Sequence, residues 1–152
     1  MSADLKRLGR RLVGRWSSEA IHPAIPNTVL LGSSEIEWLD GEQFLIFRSH
    51  CEHPDIPDAI SIIGGSDGLR MHYFDARGVQ RLFEVTVTDD GWIITMDRNS
   101  SAASFASSDA PFSQRVTYTF DDDHQVMSAK VELSYDEITW QDDLAATYTR
   151  VS

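Results

Sequence analysis

From Arg15 to Val151 the chain repeats apolar and polar residues with a period of two. Phe112, Gln114, Val116, Tyr118 and Phe120 share one face of such a run. Trp140, Asp142, Leu144, Ala146, Tyr148 and Arg150 share another, and Phe83, Val85 and Val87 a third. Successive side chains of a strand point to opposite faces, so each run predicts a strand with one face covered. The predicted strands are Arg15–His22, Leu30–Leu39, Gln43–Glu52, Ala59–Gly64, Leu69–Asp75, Val79–Thr88, Trp92–Arg98, Phe112–Phe120, Gln125–Ser134 and Ile138–Val151. They are rich in the β-branched and aromatic residues that suit a pleated surface. One stretch before them has helical spacing: Leu5, Leu8 and Leu12, with Asp4 as the expected cap and Gly14 as the limit. Lys6, Arg7, Arg10 and Arg11 form the expected wet face of that helix.

The connections sort into two kinds. Asp40-Gly41-Glu42, Gly65-Ser66-Asp67-Gly68, Asp89-Asp90-Gly91 and Asp121–His124 are short and rich in Asp and Gly, as hairpins require. All five prolines fall in three of the other links: Pro23 and Pro26, Pro54 and Pro57, and Pro111 after the long Ser- and Ala-rich link Asn99–Ala110. Proline cannot donate to a sheet ladder, so it is expected outside strand interiors. Short links at every second connection predict an all-β fold: a single antiparallel up-and-down barrel of about ten strands, spanning 1–152 as one domain. The tight turns mark its closed end, where the short N-terminal helix enters as a plug. The proline-bearing links mark its mouth. Two of them echo each other, His22-Pro-Ala-Ile-Pro-Asn27 and His53-Pro-Asp-Ile-Pro-Asp58.

Composition narrows the function. The chain of 152 residues carries 24 acids against 13 bases, a net charge of −11. That charge repels phosphate backbones and anionic lipid, so neither nucleic acid nor a membrane is an expected partner. The lone Cys51 forms no intramolecular disulfide and founds no cysteine zinc site. Met1–Arg11 is polar and basic, without the apolar core of a signal peptide, so the expected location is cytoplasmic.

Gly14-Arg15-Trp16 on the first strand, with Tyr148-Thr149-Arg150 on the last, resembles the calycin pattern of lipocalins, fatty-acid-binding proteins and nitrobindin-like barrels. The resemblance also extends to uncharacterised bacterial lipocalin-like proteins. It implies that Trp16 packs under Arg150 and closes the barrel floor, a cation–π contact that gains strength when desolvated. Trp38 and Trp92 map to the same end, so Trp16, Trp38, Trp92 and Arg150 are expected to build the floor. Nitrobindins bind haem through a histidine late in the barrel, and the last strand here has none. The five histidines are His22, His50, His53, His72 and His124.

Candidate ligand contacts lie nearer the mouth. The hairpin around Ala76-Arg77-Gly78-Val79 predicts pairs Leu69–Val87, Met71–Val85, Tyr73–Phe83 and Asp75–Arg81, all pointing inward. An inward Asp75/Arg81 pair with Tyr73 below would orient a polar head group. Phe83 and Met96 are expected to line the cavity, and Gln114, Trp140 and Asp142 to reach it from strands eight and ten. His22, His53, Asp55 and Asp58 match no compact zinc spacing, so no metal is expected. No cofactor is assigned.

Two main readings follow. The first is a binding protein whose interior holds one small apolar or amphipathic molecule. The second is a cyclase- or isomerase-type enzyme on the same barrel, with Tyr73 or Asp142 as acid or base and Arg81 stabilising negative charge. The residues favour binding over catalysis. Haem binding of the nitrobindin type, a side-chain-filled barrel acting through its surface, and a homodimer through outer faces such as Leu82 are further alternatives.

Overall fold

The computed structural model describes residues 2–99 and 110–152. It contains one helix, α1 (Ala3–Leu12), followed by β1 (Gly14–His22), β2 (Ile25–Trp38), β3 (Phe44–Cys51), β4 (Ala59–Gly64), β5 (Arg70–Asp75), β6 (Gln80–Val87), β7 (Gly91–Met96), β8 (Ser113–Phe120), β9 (Val126–Ser134) and β10 (Gln141–Arg150). The strands form a closed barrel in which every neighbour in sequence is a neighbour in space and β10 returns to β1. All ten pairings are antiparallel. Closure leaves no unpaired sheet edge. No described helix is long and apolar enough to cross a membrane.

The floor forms where the hairpin turns are tight. α1 lays Leu5, Leu8 and Leu12 into the barrel end, and all three are buried. Ser2, rather than Asp4, caps the helix by accepting the Leu5 N–H at 3.1 Å. Arg11 is not on a wet face. It is buried, and donates to the carbonyls of Thr88 (2.9 Å) and Asp89 (2.9 Å) in the β6–β7 turn. Arg7 pairs with Asp89 in the same turn at 3.0 Å. The plug is thus held by apolar contact from below and charge-assisted bonds from the side.

Trp16 and Arg150 are cross-strand partners on β1 and β10. The guanidinium lies 4.2 Å from the Trp16 ring centroid, and the indole N–H donates to Leu12 O at 2.9 Å. Arg150 also donates to the carbonyls of Arg11 (2.6 Å), Val13 (2.7 Å) and His124 (3.2 Å). One side chain therefore binds the helix C-terminus, the β8–β9 turn and the barrel seam. Trp92 is fully buried and Trp38 packs against Gly9 of the helix, so all four floor residues lie where the pattern placed them.

The mouth departs from expectation in two ways. β2 starts at Ile25, so the first link is a two-residue turn after His22 and Pro26 falls inside a strand. It remains exposed there, at the sheet's projecting end, where a missing N–H costs little. The β5–β6 hairpin pairs Met71 with Phe83 and Tyr73 with Arg81, two residues away from the expected register. Its loop is tighter: Gly78 N–H donates to Asp75 O, Asp75 N–H to Val79 O, and Gly78 takes φ 84°. That is the three-residue hairpin with glycine in the left-handed position. A slip of two preserves the faces, so Tyr73 and Arg81 still point inward. Residues 100–109 of the expected Asn99–Ala110 link lie outside the described residues.

The sequence echo has a local cause. His22 Nδ1 accepts the Ala24 N–H at 3.0 Å, and His53 Nδ1 accepts the Asp55 N–H at 3.1 Å. In each, proline supplies no N–H, and the imidazole folds over it to satisfy the next one.

Two substitutions test the floor. A Cβ on Gly9 would lie 2.1 Å from Cζ2 of Trp38. Gly9→Ala is expected to destabilise by about 1–3 kcal/mol through over-packing, although alanine is the better helix former. Equal urea midpoints would show that the helix does not seat on Trp38. Arg150→Ala is expected to cost about 2–4 kcal/mol, and Arg150→Lys to recover less than half, because an ammonium lacks the planar fork. Full recovery by lysine would reduce the role to charge alone.

Candidate functional site

Small inward residues leave the barrel hollow. Ser49 on β3 and Ser61 and Ala59 on β4 stand where a filled barrel would carry branched side chains. Facing them are Met71, Phe83, Ile94, Val116 and Val131. Between these walls is a cavity of about 510 Å³. Among the described residues it reaches the surface opposite the helix, near His22, Asp55, Arg77 and Tyr135. An annex of about 110 Å³ opens between β1, β2, β3 and β10, beside Ser18, Gly32 and Cys51. Gly32 faces a close approach there: a Cβ would come within 2.5 Å of His50 O.

Four of the expected contacts line the cavity: Tyr73, Arg81, Phe83 and Gln114. Asp75 stands behind them. Its side chain is fully covered and pairs with Arg77 (2.7 Å) rather than Arg81. It also accepts the Tyr73 hydroxyl at 2.8 Å. Burial pushes the Asp75 carboxyl up, but hydrogen bonds from Arg77 and Tyr73 outweigh it, so it sits below its ordinary 3.8. Tyr73 is pushed up to about 12 by burial first, then by its bond to Asp75. Arg81 is buried with its guanidinium 5.7 Å from the Tyr73 ring centroid and 5.2 Å from that of Phe112. Met96 is buried in the core but is not part of the cavity lining.

Trp140 and Asp142 are on the outside. β10 pairs Asp142 with Glu132, then Ala145 with Lys130, so one extra residue enters at Asp143 and Leu144. Such a bulge turns both inserted neighbours to one side and reverses the alternation beyond them. Asp142 is 79% exposed and lies 3.6 Å from Lys130. Trp140 lies over Arg115 at 4.3 Å. In their place Asp143 faces the cavity and pairs with His22 Nε2 at 3.2 Å. The Ala24 N–H on Nδ1 fixes the tautomer, leaving the protonated Nε2 facing the Asp143 carboxylate at 3.2 Å. Asp142 therefore holds no position from which to act as a cavity acid or base.

Polar groups deeper in the cavity were less visible in the pattern. Tyr118 stacks on Trp92, with centroids 4.0 Å apart and planes at 7°. Tyr148 reaches in from β10. Among the described residues neither hydroxyl has a hydrogen-bond partner, nor has the Gln114 amide. Burial, then the nearby Tyr148 and Tyr73, hold Tyr118 well above the ordinary 10.0; burial raises Tyr148 to about 12. Both are neutral donors near neutral pH. The signal for Tyr118 was its place in the Gln114–Val116–Tyr118 face. Tyr148 stood on the predicted Trp140–Arg150 face and in the Tyr148-Thr149-Arg150 motif without being named as a cavity contact.

Of the histidines, only His22 lines the cavity. His50 pairs with Asp58 at 2.7 Å on the surface. Among the described residues no group of three or more His, Cys, Asp or Glu is placed to hold a metal.

No family model matches the chain, and no curated protein matches it. Among solved structures it is similar to the crystal structure of Rv2717c from M. tuberculosis, at 16% identity and a TM-score of 0.70, covering 100% of this chain and 99% of that one. At that identity the likeness shows the fold alone. That likeness extends over the whole closed ten-strand antiparallel barrel.

Asp75 gives a pH test. Its folded pKa is depressed, so its stabilisation is complete above 3.8 and is lost as pH falls through the folded value. Asp75→Asn is expected to lower the melting temperature at neutral pH, with the gap to the parent closing below about pH 4. Parallel melting curves across pH 2–7 would show that the Tyr73–Asp75–Arg77 cluster does not stabilise the rim.

Proposed function

We propose that this chain is a calycin-like binding barrel that holds one small apolar or amphipathic molecule inside. The carrying observation is the cavity of about 510 Å³, in which aromatic and aliphatic side chains alternate with polar ones such as Tyr73, Arg81, Gln114 and Tyr118. That size and mixture match small-molecule sites, in which apolar walls give affinity and sparse polar atoms fix orientation. A filled interior, the surface-only alternative, is not what Ser49, Ser61 and Ala59 build.

Catalysis has less support. Of the trio Tyr73, Asp142 and Arg81, Asp142 projects outward, and Tyr73 is held protonated by burial and its bond to Asp75. Haem fits poorly: the cavity's one histidine, His22, already has both ring nitrogens engaged, by Ala24 and Asp143. An axial ligand would have to leave both.

Two measurements test the binding reading. Native mass spectrometry of protein purified from its own host is expected to show a retained small-molecule adduct. Ser49→Phe, which places a ring in the cavity, is expected to weaken binding of an apolar fluorescent probe by tenfold or more, on the order of 1.4 kcal/mol, at unchanged or raised melting temperature. Undiminished probe binding in Ser49→Phe would place the probe on the outer surface and defeat the reading.

A further inference from the structure

Three polar side chains on the cavity wall are neutral and have no hydrogen-bond partner among the described residues. Tyr118 and Tyr148 offer hydroxyls, and Gln114 an amide. The charged groups lie nearer the opening, and two pairs of them engage one another. Asp75 holds Arg77, and Asp143 holds His22. Arg81 lies between the Tyr73 and Phe112 rings, and Asp55 brings further negative charge to the opening. Among the described residues, a carboxylate or phosphate entering more deeply than Arg81 would find hydroxyls and no cation.

The two hydroxyls are also poised. Stacking on Trp92 at 4.0 Å restrains the Tyr118 ring, so its O–H direction costs little further entropy to fix. Tyr148 lines the same cavity as Tyr118. A carbonyl oxygen has two in-plane lone pairs and brings no proton of its own, so it suits two O–H donors. Around it, Phe83 and Val116 offer flat apolar surface, and Ser61 leaves room opposite.

Building on the binding reading, we propose that the cavity selects a neutral, flat, carbonyl-bearing molecule, with its carbonyl oxygen held by the Tyr118 and Tyr148 hydroxyls. Selection would come from those donors. A hydrocarbon of the same shape leaves them unpaired, and a charged analogue adds a desolvation cost without a deep countercharge.

Three probes of one shape test this: fluorene, fluorenone and fluorene carboxylate, titrated calorimetrically against the full chain. Fluorenone is the less hydrophobic of the uncharged pair, so nonspecific partitioning favours fluorene. The expected result is the reverse, with fluorenone bound roughly tenfold tighter or more. Its infrared carbonyl stretch should move to lower frequency when bound, a readout that needs no variant. In Tyr118→Phe/Tyr148→Phe the preference should fall to near one while fluorene affinity holds. Equal binding of fluorene and fluorenone, or an unmoved stretch, would overturn the carbonyl assignment and leave the barrel reading standing. Tightest binding by the carboxylate would overturn it in favour of an anion at the rim arginines. Binding of none of the three would count against both.

Discussion

A single guanidinium fastens the barrel. Arg150 lies over Trp16 and donates to carbonyls from the helix end and the β8–β9 turn. Sheet closure, helix docking and the shape of the floor meet at that side chain. A ten-strand sheet has two edges until its first and last strands join, and the joining pair must find its register across nearly the whole chain. Loop-closure entropy opposes such a long-range contact, so several strong bonds at one locus are a fitting answer.

With the floor fixed by large residues, the middle of the barrel can be left hollow. Trp16, Trp92 and the three leucines of the helix fill the closed end, while serines and alanines line part of the wall above. Stability is concentrated below and capacity above. The same division explains the electrostatics. The buried charges Asp75 and Arg81 lie near the rim, one paired with Arg77 and the other laid against aromatic rings, and among the described residues the polar atoms deeper in are neutral, because a bare buried charge would be far more costly.

The strands, their order and the floor were legible in the sequence because each rests on a local rule. Period-two alternation marks strands, Asp- and Gly-rich turns mark one end, and Trp16 with Arg150 marks the seam. The cavity contacts were only partly legible. Tyr73, Arg81, Phe83 and Gln114 survived because a register slip of two leaves faces unchanged. Trp140 and Asp142 did not, because a bulge of one residue at Asp143–Leu144 carries no glycine or proline to announce it, and one residue is enough to exchange inside for outside. Asp75 lost Arg81 to Arg77 because the turn closed more tightly than the alternation alone implied.

The helix plug has a kinetic corollary. A container sealed at its base must fill and empty through the same aperture, so an incoming molecule cannot push the resident one out from behind. Exchange would then proceed by departure first and arrival second, with a replacement rate set by the resident's own escape and indifferent to how much competitor waits outside.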